Sequence, residues 1–132
     1  MDERPRLLVW NFTTEEKDKL DRMLKQVQAP PAFSITPRQG HLLVRDILHG
    51  DREGDEAFAC DEKIVLFYNI PQKGIFFLIQ KFKDANLPKP IFAVVTEHSI
   101  NWPFSTLAAH LIEERRQARA RTAKEAGDDA SA

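Results

Sequence analysis

Apolar positions along the chain fall into short unbroken runs separated by stretches where they recur every third or fourth residue. Leu7 to Trp10 is such a run, bounded by Pro5 and Asn11, and predicts a buried strand. Thr13 with Glu16 three positions on forms a capping box, in which each side chain satisfies an orphan backbone donor at a helix start. Leu20, Met23, Leu24 and Val27 then follow at helical spacing, with Lys17, Asp18, Asp21, Arg22 and Lys25 on the other face. Pro30 and Pro31 stop that helix, because proline lacks the donor and restricts the residue before it. Ala32 to Thr36 predicts a second strand, and Leu43, Val44, Ile47 and Leu48 a short helix ending at Gly50.

The acidic stretch from Gly50 to Glu62 has little periodicity and reads as a connector. Beyond it the same order of elements returns. Ile64 to Tyr68 predicts a strand; Pro71 and Gln72 open a helix carrying Ile75, Phe76, Leu78, Ile79 and Phe82; Pro88 and Pro90 interrupt; Ile91 to Thr96 predicts a strand; and a last helix starts near Pro103. Aligned at a separation of roughly 58 to 63 residues, Trp10-Asn11 falls on Tyr68-Asn69, Leu20 on Leu78, Leu24 on Phe82 and Pro30 on Pro88, with Phe33 on Phe92 after one insertion.

These elements predict an α/β fold in which two β-α-β-α units form a small, mainly parallel four-stranded sheet with helices packed on it. A ferredoxin-like α+β sandwich is the rival arrangement. The expected organisation is a single domain over 1–126, with a first unit at 6–50, a connector at 51–62, a second unit at 63–124 and a disordered tail at 127–132.

Composition narrows the picture. With 132 residues, 42% hydrophobic and 30% charged, the chain has the mix of one globular domain. No apolar run reaches the span of a bilayer and the start lacks a secretory n-region and h-region, so a cytoplasmic protein without membrane contact is expected. The single Cys60 reads as a reduced thiol. A net charge of -1 gives no global attraction to nucleic acid, which is not an expected partner. Charge is local instead: Asp51, Glu53, Asp55 and Glu56 are acidic, whereas Arg115, Arg116, Arg119, Arg121 and Lys124 are basic and read as a solvated helix end.

The segments IVLFYNI, NLPKPIFAVVTEHSINW and LAAHLIEERR, spanning about Ile64 to Arg116, resemble bacterial proteins grouped as domain of unknown function 3783. Thr96, Asn101 and Trp102 are the positions that match that family's recurrent Thr, Asn and Trp. The first half resembles it at most as a divergent copy, since PRQGHLLV follows Thr36 without an Asn-Trp pair. The resemblance implies a fold and a bacterial origin and lends no activity.

Two candidate sites follow. The loop with Thr96, His98, Asn101 and Trp102 lies after a predicted parallel strand and before a helix N-terminus, where α/β sheets bind ligands and free amides favour anions. Its bland reading is structural, with Asn101 capping the last helix and Trp102 packing beneath the loop. Phe76 and Phe77 broaden the apolar face of their helix beyond one stripe, so that helix is either buried on two sides or meets a homodimer mate or protein partner. Histidines 41, 49, 98 and 110 show no ligand spacing, so no metal, cofactor or catalytic residue is expected, and enzymatic activity is left open with the balance against it.

Overall fold

Two strands whose positions are almost all apolar can be buried on both faces only at the centre of a sheet, and that is where they lie. In the computed structural model, β1 (Arg6–Trp10) and β3 (Ile64–Tyr68) are buried along their whole length. The edge strands β2 (Ala32–Ile35) and β4 (Ile91–Val94) are shorter and partly exposed, giving the order β2-β1-β3-β4. The structure describes the backbone of residues 3–131 and the side chains of residues 3–122; Ala132, the end of the expected tail, lies outside the described residues.

Helix α1 (Thr14–Gln26) starts at the expected capping box: the Glu16 amide donates to Thr13 Oγ1 at 3.1 Å, and the Thr13 amide donates to Glu16 Oε1 at 2.8 Å. Lys63, just before β3, donates to the same Glu16 oxygen at 2.7 Å. That bond is the main reason the Glu16 carboxyl sits below its ordinary pKa. Helix α2 (Val44–Leu48) follows a 3₁₀ turn at Pro37–Gln39, and α3 (Gln72–Asp84) begins after Pro71. The last helix, α4 (Phe104–Ser131), is helical past Gly127, where the sequence reading begins a tail; Ala, Arg, Glu and Lys, all strong helix formers, dominate its second half.

The sheet corrects one expectation. It is mixed rather than mainly parallel: β1 pairs in parallel with β2 and β3 with β4, but β1 and β3 are antiparallel. The cause lies in the crossovers. Each β-α-β link moves outward from the sheet centre, one to each side, and two links of one hand put their helices on the same face only if the strand pairs run oppositely. Helices α1 and α3 do share a face, packing over Leu7, Val9, Val65 and Phe67. Helices α2 and α4 cover the other face, over Leu8, Trp10, Ile64, Leu66 and Tyr68.

Pairings in one half map onto pairings in the other. Leu8 faces Leu66, 58 positions on, and the flanking pairs Leu7 with Phe67 and Val9 with Val65 exchange under the same offset. Asn11 and Asn69 follow the inner strands in the left-handed region, at φ 65° and 54°. Their side-chain amides donate to the Asp61 and Glu3 carbonyls, again 58 apart. Beyond the helices the offset becomes 60: the Val44 amide donates to Trp102 O and the Phe104 amide to Leu42 O, each at 2.9 Å, around a bridge between Leu43 and Pro103. Strand register accordingly makes Ala32, not Phe33, the counterpart of Phe92, since two residues rather than one are inserted before β4.

Candidate functional site

The carboxyl ends of the parallel pair β3 and β4 open into a cleft of about 510 Å³. Tyr68 and Val95 form its wall from the sheet, Thr96, Ile100 and Asn101 its wall from the loop, and Arg45 of α2 reaches it from the first half. A cleft of this size at this end of parallel strands is the usual place for a ligand in an α/β fold.

The loop is held by its own polar groups. Thr96 Oγ1 accepts the Ser99 amide at 3.0 Å and the His98 amide at 3.3 Å, while the Thr96 amide donates to Ser99 Oγ at 2.9 Å. These bonds close the turn that precedes a 3₁₀ segment at Ser99–Asn101. Asn101 is exposed; its Nδ2 donates to Glu97 O and its Oδ1 accepts from Arg45 Nη1, both at 3.4 Å.

The four residues expected here therefore separate. Thr96 and Asn101 line the cleft, His98 is exposed and does not line it, and Trp102 turns away to pack its ring 4.9 Å from that of His110. Asn101 ends the 3₁₀ segment rather than capping α4, which begins at Phe104. Nor are the first amides of α4 available to an anion: Phe104 donates to Leu42 O and Ser105 to Gly40 O at 2.7 Å. Tertiary carbonyls satisfy what would otherwise be orphan donors at that helix start. Sequence reasoning missed Tyr68 and Arg45. Tyr68 could have been found, since it ends the strand beside the expected site, whereas Arg45 has no local signal.

A second candidate surface lies on α3. Ile75, Leu78 and Phe82 face the sheet, and Phe82 packs edge-on against Phe92 with centroids 5.1 Å apart. Phe76 and Phe77 project outward and are 63% and 47% exposed. The Lys81 ammonium lies 5.4 Å from the Phe77 ring centroid. Val94 is also half exposed, on the sheet face that α3 covers. Between two aromatic rings and lysines at helical spacing, this surface offers apolar contact rimmed by positive charge.

The basic run at the chain end is partly neutralised. Arg115 pairs with Glu62 of the connector and Arg116 with Glu113, which lowers the Glu113 pKa. Among the described residues no cluster of His, Cys, Asp and Glu could hold a metal, and no helix is long and apolar enough to cross a membrane.

No curated protein matches this chain, and no solved structure does. Residues 63–117, from the residue before β3 into the basic part of α4, match the family model described as Domain of unknown function (DUF3783).

Proposed function

We propose that the protein is a non-enzymatic association module of a bacterial cytoplasm, and that its contact face is the outer surface of α3. The observation that carries this reading is the exposure of two adjacent aromatic side chains, Phe76 and Phe77, on a helix whose opposite stripe is already buried. Leaving two large rings in water is unfavourable, and covering each would contribute about 1.5–3 kcal/mol. A second copy of the chain is the partner we favour, since like faces with aromatic centres are self-complementary about a two-fold axis. Light scattering after size exclusion tests it: the mass should exceed the 15.2 kDa of one chain and return to that value in Phe77→Glu. A strict monomer, unchanged by the substitution, overturns the reading.

A second reading places a ligand in the cleft between Tyr68 and the loop 96–102. The cleft volume and the convergence of Arg45, Thr96 and Asn101 favour it. Both readings sit with a view of the halves as unequal copies of one β-α-β-α unit, of which the second carries the cleft beside Tyr68 and the exposed aromatic pair of α3.

A further inference from the structure

We infer that chains associate head to tail, the outer edge of β4 in one copy pairing with the outer edge of β2 in the next, a contact separate from the α3 surface. Both outer edges are open, since among the described residues no strand lies beyond either. The Leu7 amide donates to Pro31 O at 2.9 Å, so along β2 the main-chain groups of Phe33 and Ile35 turn toward β1 and those of Ala32 and Ser34 turn outward. The Ile91 and Val95 amides donate to Lys63 O at 2.8 Å and Phe67 O at 2.9 Å, which leaves the main-chain groups of Phe92 and Val94 outward on β4. Pro90, the outward position before them, has no N–H to offer.

Strands β2 and β4 run in opposite directions, because each is parallel to its inner neighbour and the inner strands are antiparallel. Copies in the same orientation therefore meet as an antiparallel pair. One register joins all the outward groups: Phe92 with Ser34 and Val94 with Ala32 of the next copy, two hydrogen-bonded pairs around Ala93 and Phe33. A shift by two residues opposes Val94 to Pro30, which has no N–H, or Phe92 to Thr36, whose amide already donates to Gln39 Oε1.

The same register suits the side chains. Phe33 is 51% exposed and pairs with Leu8, so it lies on the face of α2 and α4, where the five-residue α2 leaves it uncovered. In the assembly it stands opposite Ala93, a small residue on that face, in the pair type whose side chains approach most closely. On the other face the half-exposed Val94 gains Ala32 as its neighbour. Helices α1 and α3 cover four strands there, so continuing the sheet keeps one helix per two strands, about 10 Å apart and close to the width of a helix.

Charge selects β2 as the mate of β4. A groove of about 530 Å³ runs between the start of β4 and α4, with Phe92 and Leu111 in its walls. Lys89, Arg115 and Arg119 line it with a single acid, Glu114, and only Arg115 is tied elsewhere, to Glu62. Beside Phe33 at the opposite edge stand Asp51 and Glu53, both exposed, while the buried Arg6 there donates to Leu48 O. Arg52 lies between the two acids in sequence but does not line that surface. Two β4 edges would bring cations together and two β2 edges would bring acids together, whereas unlike edges attract. A contact between unlike surfaces repeats from copy to copy.

Sedimentation equilibrium tests this on the full chain carrying Phe77→Glu, which keeps the α3 surface out of the contact. Four main-chain bonds and one ring make a small interface that dilution on a sizing column disperses, so the measurement is made on concentrated protein. The mean mass should rise past twice 15.2 kDa with concentration and fall as salt is added. Phe33→Lys blocks one edge and Val94→Pro the other; each variant alone should stay at 15.2 kDa, and their equimolar mixture should stop at twice that mass. Val94→Pro removes an outward N–H at an edge, where proline is tolerated. Should its amide spectrum be that of an unfolded chain, Lys89→Glu combined with Arg119→Glu, both at exposed side chains, takes its place. A mass that never exceeds one chain, a blocked variant that still dimerises, a mixture that stays monomeric or an association that salt does not weaken overturns the inference. None of these outcomes bears on the α3 surface, which is tested in the chain that keeps Phe77.

Discussion

Leu8 and Leu66 face one another across the antiparallel centre of the sheet, and both are almost fully buried. They are the pair about which the neighbouring cross-strand pairs exchange, and each is flanked on its outer side by an edge strand, Leu8 by Phe33 and Leu66 by Ala93. Leu8→Ala and Leu66→Ala should each destabilise the protein by about 3–4 kcal/mol, within about 1 kcal/mol of each other. Urea unfolding measures this; a large inequality would mean that the two halves share the core unevenly.

Gly40 is required by close approach, since its φ lies in the ordinary helical region. Gly40→Ala should cost about 1–3 kcal/mol, because the Phe58 Cβ must move. In a double-mutant cycle with Phe58→Ala, most of that cost should disappear. An additive cycle would show that the connector does not pack against the turn as described.

The Lys63 to Glu16 bond ties the start of β3 to the first turn of α1. Because the folded carboxyl has a lowered pKa, its contribution is present above the unfolded value, about 4.3, and is lost as pH falls through the folded one. Wild type should exceed Glu16→Gln in stability by about 0.5–1 kcal/mol at pH 7, and the two should converge in acid. A difference that does not change with pH contradicts this assignment.

Much of this architecture is legible in the residues, for local reasons. Thr13 and Glu16 announce a helix start, Pro30 and Pro88 its end, and the apolar runs at Leu7 and Ile64 the inner strands. What could not be read is tertiary. The connector carries no periodicity that says which way β3 will run beside β1, so the antiparallel centre was missed. The amides of Phe104 and Ser105 look free in sequence and are taken by carbonyls more than 60 residues away. Thr96 and Asn101 were found because they lie in one loop after one strand, whereas Arg45 reaches the cleft only through packing of α2 against that loop.

On the outer surface of α3, replacing both Phe76 and Phe77 by serine should leave stability within about 0.5 kcal/mol of wild type, since neither ring lies in the core. Thermal unfolding at low protein concentration checks it. A loss of several kcal/mol would place the rings in the fold rather than in an interface.

The most direct measurement is isotope-filtered NMR on an equimolar mixture of labelled and unlabelled chains. Intermolecular contacts to the Phe76 and Phe77 rings are the result expected of an α3 interface. Contacts mapping to another face, or none at concentrations that fill the NMR tube, would contradict it.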